Sequence, residues 1–187
     1  TLIGSQPVNP IIIPDEIVVC ESPSCQCTNT APCTIQCIPT FLLPDACAGA
    51  LLICPQDFAC TVYFSEGAGG GAMVTAPVGN DLTVNCEGGF SCGGANFIAQ
   101  YSNAVSYTCL GGESCMGANL NCGIGHCKVD CSGGAACDGA GISVGVALSF
   151  NCFGGLAACP MTYTAAPVPV PTWAPCNALS DCPCDYP

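Results

Sequence analysis

The sequence predicts an all-β fold, a disulfide-rich parallel β-helix with about 22 residues per coil, and three observations carry that expectation. The pattern Cys, five residues, Cys recurs along the chain. Alternating apolar and polar stretches precede its copies, and Gly-Ala segments follow them in register. The copies are Cys54-PQDFA-Cys60, Cys86-EGGFS-Cys92, Cys109-LGGES-Cys115 and Cys131-SGGAA-Cys137, with a longer one at Cys152-FGGLAA-Cys159.

The stretches Leu82-Thr-Val-Asn-Cys86, Val105-Ser-Tyr-Thr-Cys109, Lys128-Val-Asp-Cys131 and Leu148-Ser-Phe-Asn-Cys152 alternate with period two, the mark of a strand with one buried face. In that register Val84, Tyr107, Val129 and Phe150 should share one interior column. After the second cysteine, Gly-Ala-Asn-Phe (94–97), Gly-Ala-Asn-Leu (117–120) and Gly-Ala-Gly-Ile (139–142) begin a further short strand. The paired glycines at 88–89, 111–112, 133–134 and 154–155 are expected at corners that need positive φ. A string of independent disulfide-knotted hairpins would not require all of these features to recur together. Solenoid coils would.

These residues resemble the cysteine-rich parallel β-helix repeats with C-x-G-G-x-x-C cores found in extracellular surface proteins, many from microbial eukaryotes. The resemblance covers about residues 54 to 163 and implies structural roles for Cys54, Cys60, Cys86, Cys92, Cys109, Cys115, Cys131, Cys137, Cys152 and Cys159. It implies no catalytic residues. The first copy, Cys54 to Cys60, lacks the paired glycines.

Four regions are expected. Residues 1–19 form an extended apolar arm, because prolines keep them out of a central strand while Ile11, Ile12, Ile13, Ile17 and Val18 seek a pleated apolar partner. That partner is either the arm's own domain or a neighbouring subunit. Residues 20–53, with cysteines at 20, 25, 27, 33, 37 and 47 and prolines between them, read as a loop-rich cap on the solenoid of residues 54–165. Residues 166–187 are a Pro-rich strap, Ala166-PVPV-Pro171, and a tail carrying Cys176, Cys182 and Cys184.

Composition excludes several functions. The chain carries 21 Cys, a net charge of -12, one Lys or Arg (Lys128) and one His (His126). Nucleic-acid binding needs Lys and Arg to displace phosphate counterions, so that partner is excluded. No apolar run approaches the roughly 20 residues of a membrane span. Cysteine at this density points to an oxidising compartment, and a chain that starts at Thr1 reads as a mature exported protein whose signal peptide has been removed. The expected localisation is therefore extracellular. No N-x-[ST] sequon occurs, so a glycan would be O-linked, for example on Thr172 or hydroxylated proline.

Metal binding would draw on Cys25-Gln-Cys27 or Cys182-Pro-Cys184, but disulfides account for the same residues, and neither metal nor cofactor is expected. No catalysis is expected either, since His126 lies amid cysteines read as bridged and the acids Asp57, Glu87, Glu113 and Asp138 read as a solvated outer strip. Thr61, Thr83, Thr108 and Thr162 show no fixed repeat position, which argues against an ice-binding row. Because 21 is odd, at most ten intrachain disulfides can form. The cap and the repeats hold even numbers, so Cys176, Cys182 or Cys184 is the expected free or intermolecular thiol. The functional expectation is a structural subunit that polymerises with itself, head to tail through its N-terminal arm, into an extracellular filament or surface layer. The alternative is a monomeric carbohydrate- or ice-binding module.

Overall fold

In a computed structural model of the protein, residues 14–145, 147–153 and 162–165 are described. They form a parallel β-solenoid of two seven-stranded sheets. Strands are numbered in chain order. The first sheet, sheet A, contains β1 (Glu16–Val19), β3 (Cys33–Cys37), β5 (Cys60–Phe64), β7 (Leu82–Glu87), β9 (Ala104–Leu110), β11 (His126–Ser132) and β13 (Ala147–Phe153), stacked in that order. Sheet B stacks β2 (Ser24–Gln26), β4 (Leu51–Ile53), β6 (Met73–Thr75), β8 (Asn96–Ile98), β10 (Asn119–Asn121), β12 (Gly141–Val144) and β14 (Thr162–Ala165). The chain alternates between the sheets, so each coil contributes one strand to each.

Alternation fixes what lies between the sheets. In sheet A, Ile35, Val62, Val84, Tyr107, Val129 and Phe150 are successive register partners. The expected column is therefore present and reaches three coils further toward the N-terminus, ending at Val18 opposite Ile35. Val18 and Phe150 are partly buried and pack against the same core, and the rest are fully buried. The facing column in sheet B is Cys25, Leu52, Val74, Phe97, Leu120 and Ile142. Phe97 lies edge-to-face with Tyr107 and with Phe64, at centroid distances of 5.2 and 6.4 Å. The Tyr107 hydroxyl donates to the Asn121 carbonyl at 2.6 Å, so this buried side chain ties sheet A to sheet B.

The corner leading from sheet A to sheet B repeats in detail. Residues 47, 69, 92, 115 and 137 all have φ between 56 and 75°, and each carbonyl accepts a hydrogen bond from the amide of an alanine three residues on. Four of these five residues are cysteines, a residue type that rarely adopts this region. Sequence reasoning assigns the positive φ to the paired glycines alone. The first glycine of three pairs does adopt it, and Gly88, Gly111 and Gly133 stack so closely that a Cβ on Gly111 would lie 2.6 Å from the Gly88 carbonyl carbon. The second glycines, Gly89, Gly112 and Gly134, have open space where a Cβ would stand.

Two boundaries differ from expectation. The region read as a cap, 20–53, carries β2, β3 and β4 within the same two sheets, so regular coils begin at Glu16 rather than at residue 54. Proline spacing suggests loops, yet these strands span only three to five residues and fit between the prolines. The arm also ends earlier than expected. Glu16–Val19 pairs in parallel with β3 of its own chain, which places Ile17 and Val18 in the protein's own sheet. Ile11, Ile12, Ile13, Cys159 and the whole strap and tail, including Cys176, Cys182 and Cys184, lie outside the described residues.

Candidate assembly surface

The cysteines are placed by the two corners. Where sheet A leads to sheet B, Cys37–Cys47, Cys86–Cys92, Cys109–Cys115 and Cys131–Cys137 join the end of a strand to the next corner. Where sheet B returns to sheet A, Cys27–Cys33, Cys54–Cys60 and Cys122–Cys127 close the opposite edge. Cys20–Cys25 pins the first coil, and Cys152 is also disulfide-bonded. The pair Cys54–Cys60 is thus no first copy of the main repeat. Cys60 is in register with Leu82, whereas Cys86 is in register with Phe64. Sequence reasoning also misses Cys27-TNTAP-Cys33, which has the same five-residue spacing. Sulfur atoms of Cys86, Cys109 and Cys115 converge, as do those of Cys109, Cys131 and Cys137, but each belongs to a disulfide and so lacks the thiolate a metal would need. His126, the one histidine, heads β11 beside the Cys122–Cys127 bridge.

Exposed apolar side chains gather at the end of the solenoid formed by the first coils. In β1, Val18 packs on the core, while its neighbours Ile17 and Val19 point out of sheet A and are 64% and 55% exposed. Among the described residues no strand pairs with the outer edge of β1 in sheet A or of β2 in sheet B. The corner after β3 is longer than its counterparts. Ten positions separate Cys37 from Cys47, against six for Cys86 and Cys92, and the excess forms a finger. At its tip the Thr40 and Leu43 amides each donate to the other residue's carbonyl, at 3.0 and 3.1 Å. Phe41 is 100% exposed and Leu42 85%. Leu43 and Asp45 share a cleft of about 220 Å³ with residues 20–23, the corner of the first coil.

The outer face of sheet A is ordered. Thr34, Thr61, Thr83 and Ser106 are successive register partners in one outward column, beside a second column of Gln36, Tyr63, Asn85 and Thr108. The expectation that the threonines keep no fixed position is therefore corrected for Thr61 and Thr83. Cysteine spacing alone aligns Cys60 with the wrong corner, and that shift conceals the column. Further along, Lys128 pairs with Asp130 at 2.5 Å, and Asn151 donates to Asp130 at 2.6 Å. The acids do not form one strip: Glu87, Glu113 and Asp138 lie at the corner from sheet A to sheet B, while Asp57 lies at the opposite edge, held by Asn29. Glu87 accepts a hydrogen bond from the Tyr63 hydroxyl at 2.7 Å, which raises the Tyr63 pKa above its ordinary value.

The chain matches no protein-family model, no curated protein and no solved structure. The many disulfides that close its coils belong to an oxidising setting. No described helix is long and apolar enough to cross a membrane.

Proposed function

We propose that the protein is secreted and serves as a structural subunit of an extracellular filament or surface layer, joining head to tail with further copies of itself. The observation that carries this reading is the end of the solenoid at β1 and β2, where both sheets present an outer edge with no described partner. Such an edge is a row of main-chain donors and acceptors that templates another strand. Ile11, Ile12 and Ile13 supply β-branched side chains suited to such an addition, and the arm that crosses to a neighbour is limited to residues before Pro14, because Glu16–Val19 is already paired at home. Like-charged bodies of -12 repel one another, but physiological salt screens over about 8 Å, so short-range apolar and main-chain contacts prevail. A single Lys and no Arg leave trypsin-like proteases almost no cleavage site, which suits a durable extracellular polymer.

Electron microscopy of the purified protein tests this. Filaments or layers are expected from the full chain, and folded, disulfide-bonded monomers from a chain lacking residues 1–13. Single particles of one chain at all concentrations would overturn the reading. The outward Thr34, Thr61, Thr83 and Ser106 column favours a second reading, a monomeric ice- or carbohydrate-binding face. Thermal hysteresis, or retention on an insoluble neutral polysaccharide, by a strictly monomeric protein would support it.

A further inference from the structure

We infer that the finger between Cys37 and Cys47 is a contact by which one copy grips the next, an inference that rests on the filament reading above. The coil does not require the finger. The turn after it, in which Ala50 donates to the Cys47 carbonyl, is the same as at Cys92, Cys115 and Cys137, where five residues suffice between the cysteines. The added residues carry Phe41 and Leu42 into solvent on an ordered base, closed below by Cys37–Cys47 and above by the two Thr40 and Leu43 hydrogen bonds. A backbone already ordered loses little freedom when a partner covers the side chains it carries, and a contiguous apolar projection on a water-exposed surface marks an interaction site.

The chemistry selects the partner. No charged residue occurs from Ile38 to Pro44, in a chain whose net charge is -12. A basic partner would be drawn to the carboxylates elsewhere on the molecule, and an anionic lipid surface requires a cluster of Lys or Arg, whereas the chain has Lys128 alone. Two copies of this chain repel wherever their carboxylates meet, so close contact between them is restricted to uncharged surface. The tip of the finger, residues 38–44, is such a surface, while Asp45 and Glu21 line the cleft at its base. The finger stands over the first coil's corner, sharing the cleft with residues 20–23, beside the edges of β1 and β2 that have no partner among the described residues. A copy stacked on that end therefore meets Phe41 and Leu42. The contact joins unlike surfaces of the two copies, the kind that closes as a ring or propagates as an open helix.

The test compares the wild-type chain with Phe41→Ser/Leu42→Ser by sedimentation velocity over a concentration series and by electron microscopy. Disulfide mapping and circular dichroism establish that both chains fold, as the exposure of both residues leads one to expect. The double variant should need at least a tenfold higher concentration to assemble, or stay monomeric. Assembly of both chains at the same concentration overturns the finger contact while leaving the filament reading intact. Wild-type protein that never assembles removes the filament reading itself. Neutral phosphatidylcholine vesicles provide the last arm: Phe41-dependent binding to them, with assembly unaffected, overturns the second copy as the partner in favour of lipid.

Discussion

The ring of Phe64 occupies the space that a side chain on residue 69 would need. Phe64 stands in register with Cys37 on one side and Cys86 on the other, and Gly69 repeats the left-handed corner position of Cys47, Cys92, Cys115 and Cys137. One coil has thus replaced the disulfide by a phenyl ring and an absent Cβ. A Cβ on residue 69 would overlap the ring, and φ is +75°. Gly69→Ala is therefore expected to destabilise by about 2 to 4 kcal/mol, combining left-handed strain with overpacking, as measured by denaturant unfolding of the oxidised protein. The double variant Phe64→Cys/Gly69→Cys should fold with one further bridge, seen in the intact mass as the loss of two hydrogens. A pair of free thiols there would show that the two corners are not equivalent.

The same exchange of a disulfide for Phe and Gly separates what is legible in the sequence from what is not. The strands at 82–87, 104–110 and 126–132 are legible because alternation with period two is enforced by a core on one side, and it delivers the column of Val84, Tyr107, Val129 and Phe150. The copy at Cys54–Cys60 misleads because its spacing equals that of the main repeat while it closes the opposite edge. The residues after each pair hold the distinguishing signal: Gly-Ala segments come after Cys92, Cys115 and Cys137, whereas Thr61-Val-Tyr-Phe64 is itself part of a strand. A coil without its corner disulfide leaves no cysteine pattern, so the register of β3, β5 and β7 cannot be counted through it. The finger is hidden for a related reason. Its prolines make a whole region look irregular when only residues 38–45 leave the coil.

Cysteine parity gives a second prediction. Eight disulfides pair sixteen of the described cysteines with one another, and Cys152 is bonded as well, which leaves Cys159, Cys176, Cys182 and Cys184 to supply its partner. Three cysteines then remain, an odd number. Alkylation of the denatured, unreduced monomer should label at least one cysteine after residue 153 and none before it. A label on Cys54, Cys86 or Cys109 would contradict the observed pairing. Absence of any label, with covalent dimers on a non-reducing gel, would identify the odd sulfur as the intermolecular one.

Tyr107 makes stability depend on alkaline pH. Burial pushes its hydroxyl far above the ordinary tyrosine value, so the folded protein keeps a proton that the unfolded chain releases near pH 10. Its contribution is full below that pH and is lost as pH rises, at a slope of at most about 1.4 kcal/mol per unit. Tyr107→Phe should cost about 1 kcal/mol at neutral pH, because the Asn121 carbonyl loses its donor. At pH 11 the difference should close or reverse, since the variant has no proton to hold. Urea unfolding at both pH values decides it, and a constant difference would mean that the hydroxyl reaches solvent.

Phe90 is held in a conformation that costs stability. It has φ of +60° and is 61% exposed, and it stands two residues before Cys92 as Gly67, at +76°, stands two before Gly69. The two coils share one turn, and only one uses the residue type suited to it. Left-handed φ on a side-chain-bearing residue costs about 1 to 2 kcal/mol, while the exposed ring returns little burial. Glycine removes that strain but admits more freedom in the unfolded chain, which offsets about 0.5 to 1 kcal/mol. The balance is a gain of roughly 0.5 to 1 kcal/mol for Phe90→Gly, or about 2 °C in the midpoint of a chain this size. Calorimetry of the oxidised protein measures it directly. A lower midpoint would show that the ring packs against its neighbours more than its exposure indicates; a higher one, joined to weaker assembly, would give Phe90 a reason to persist where glycine fits better.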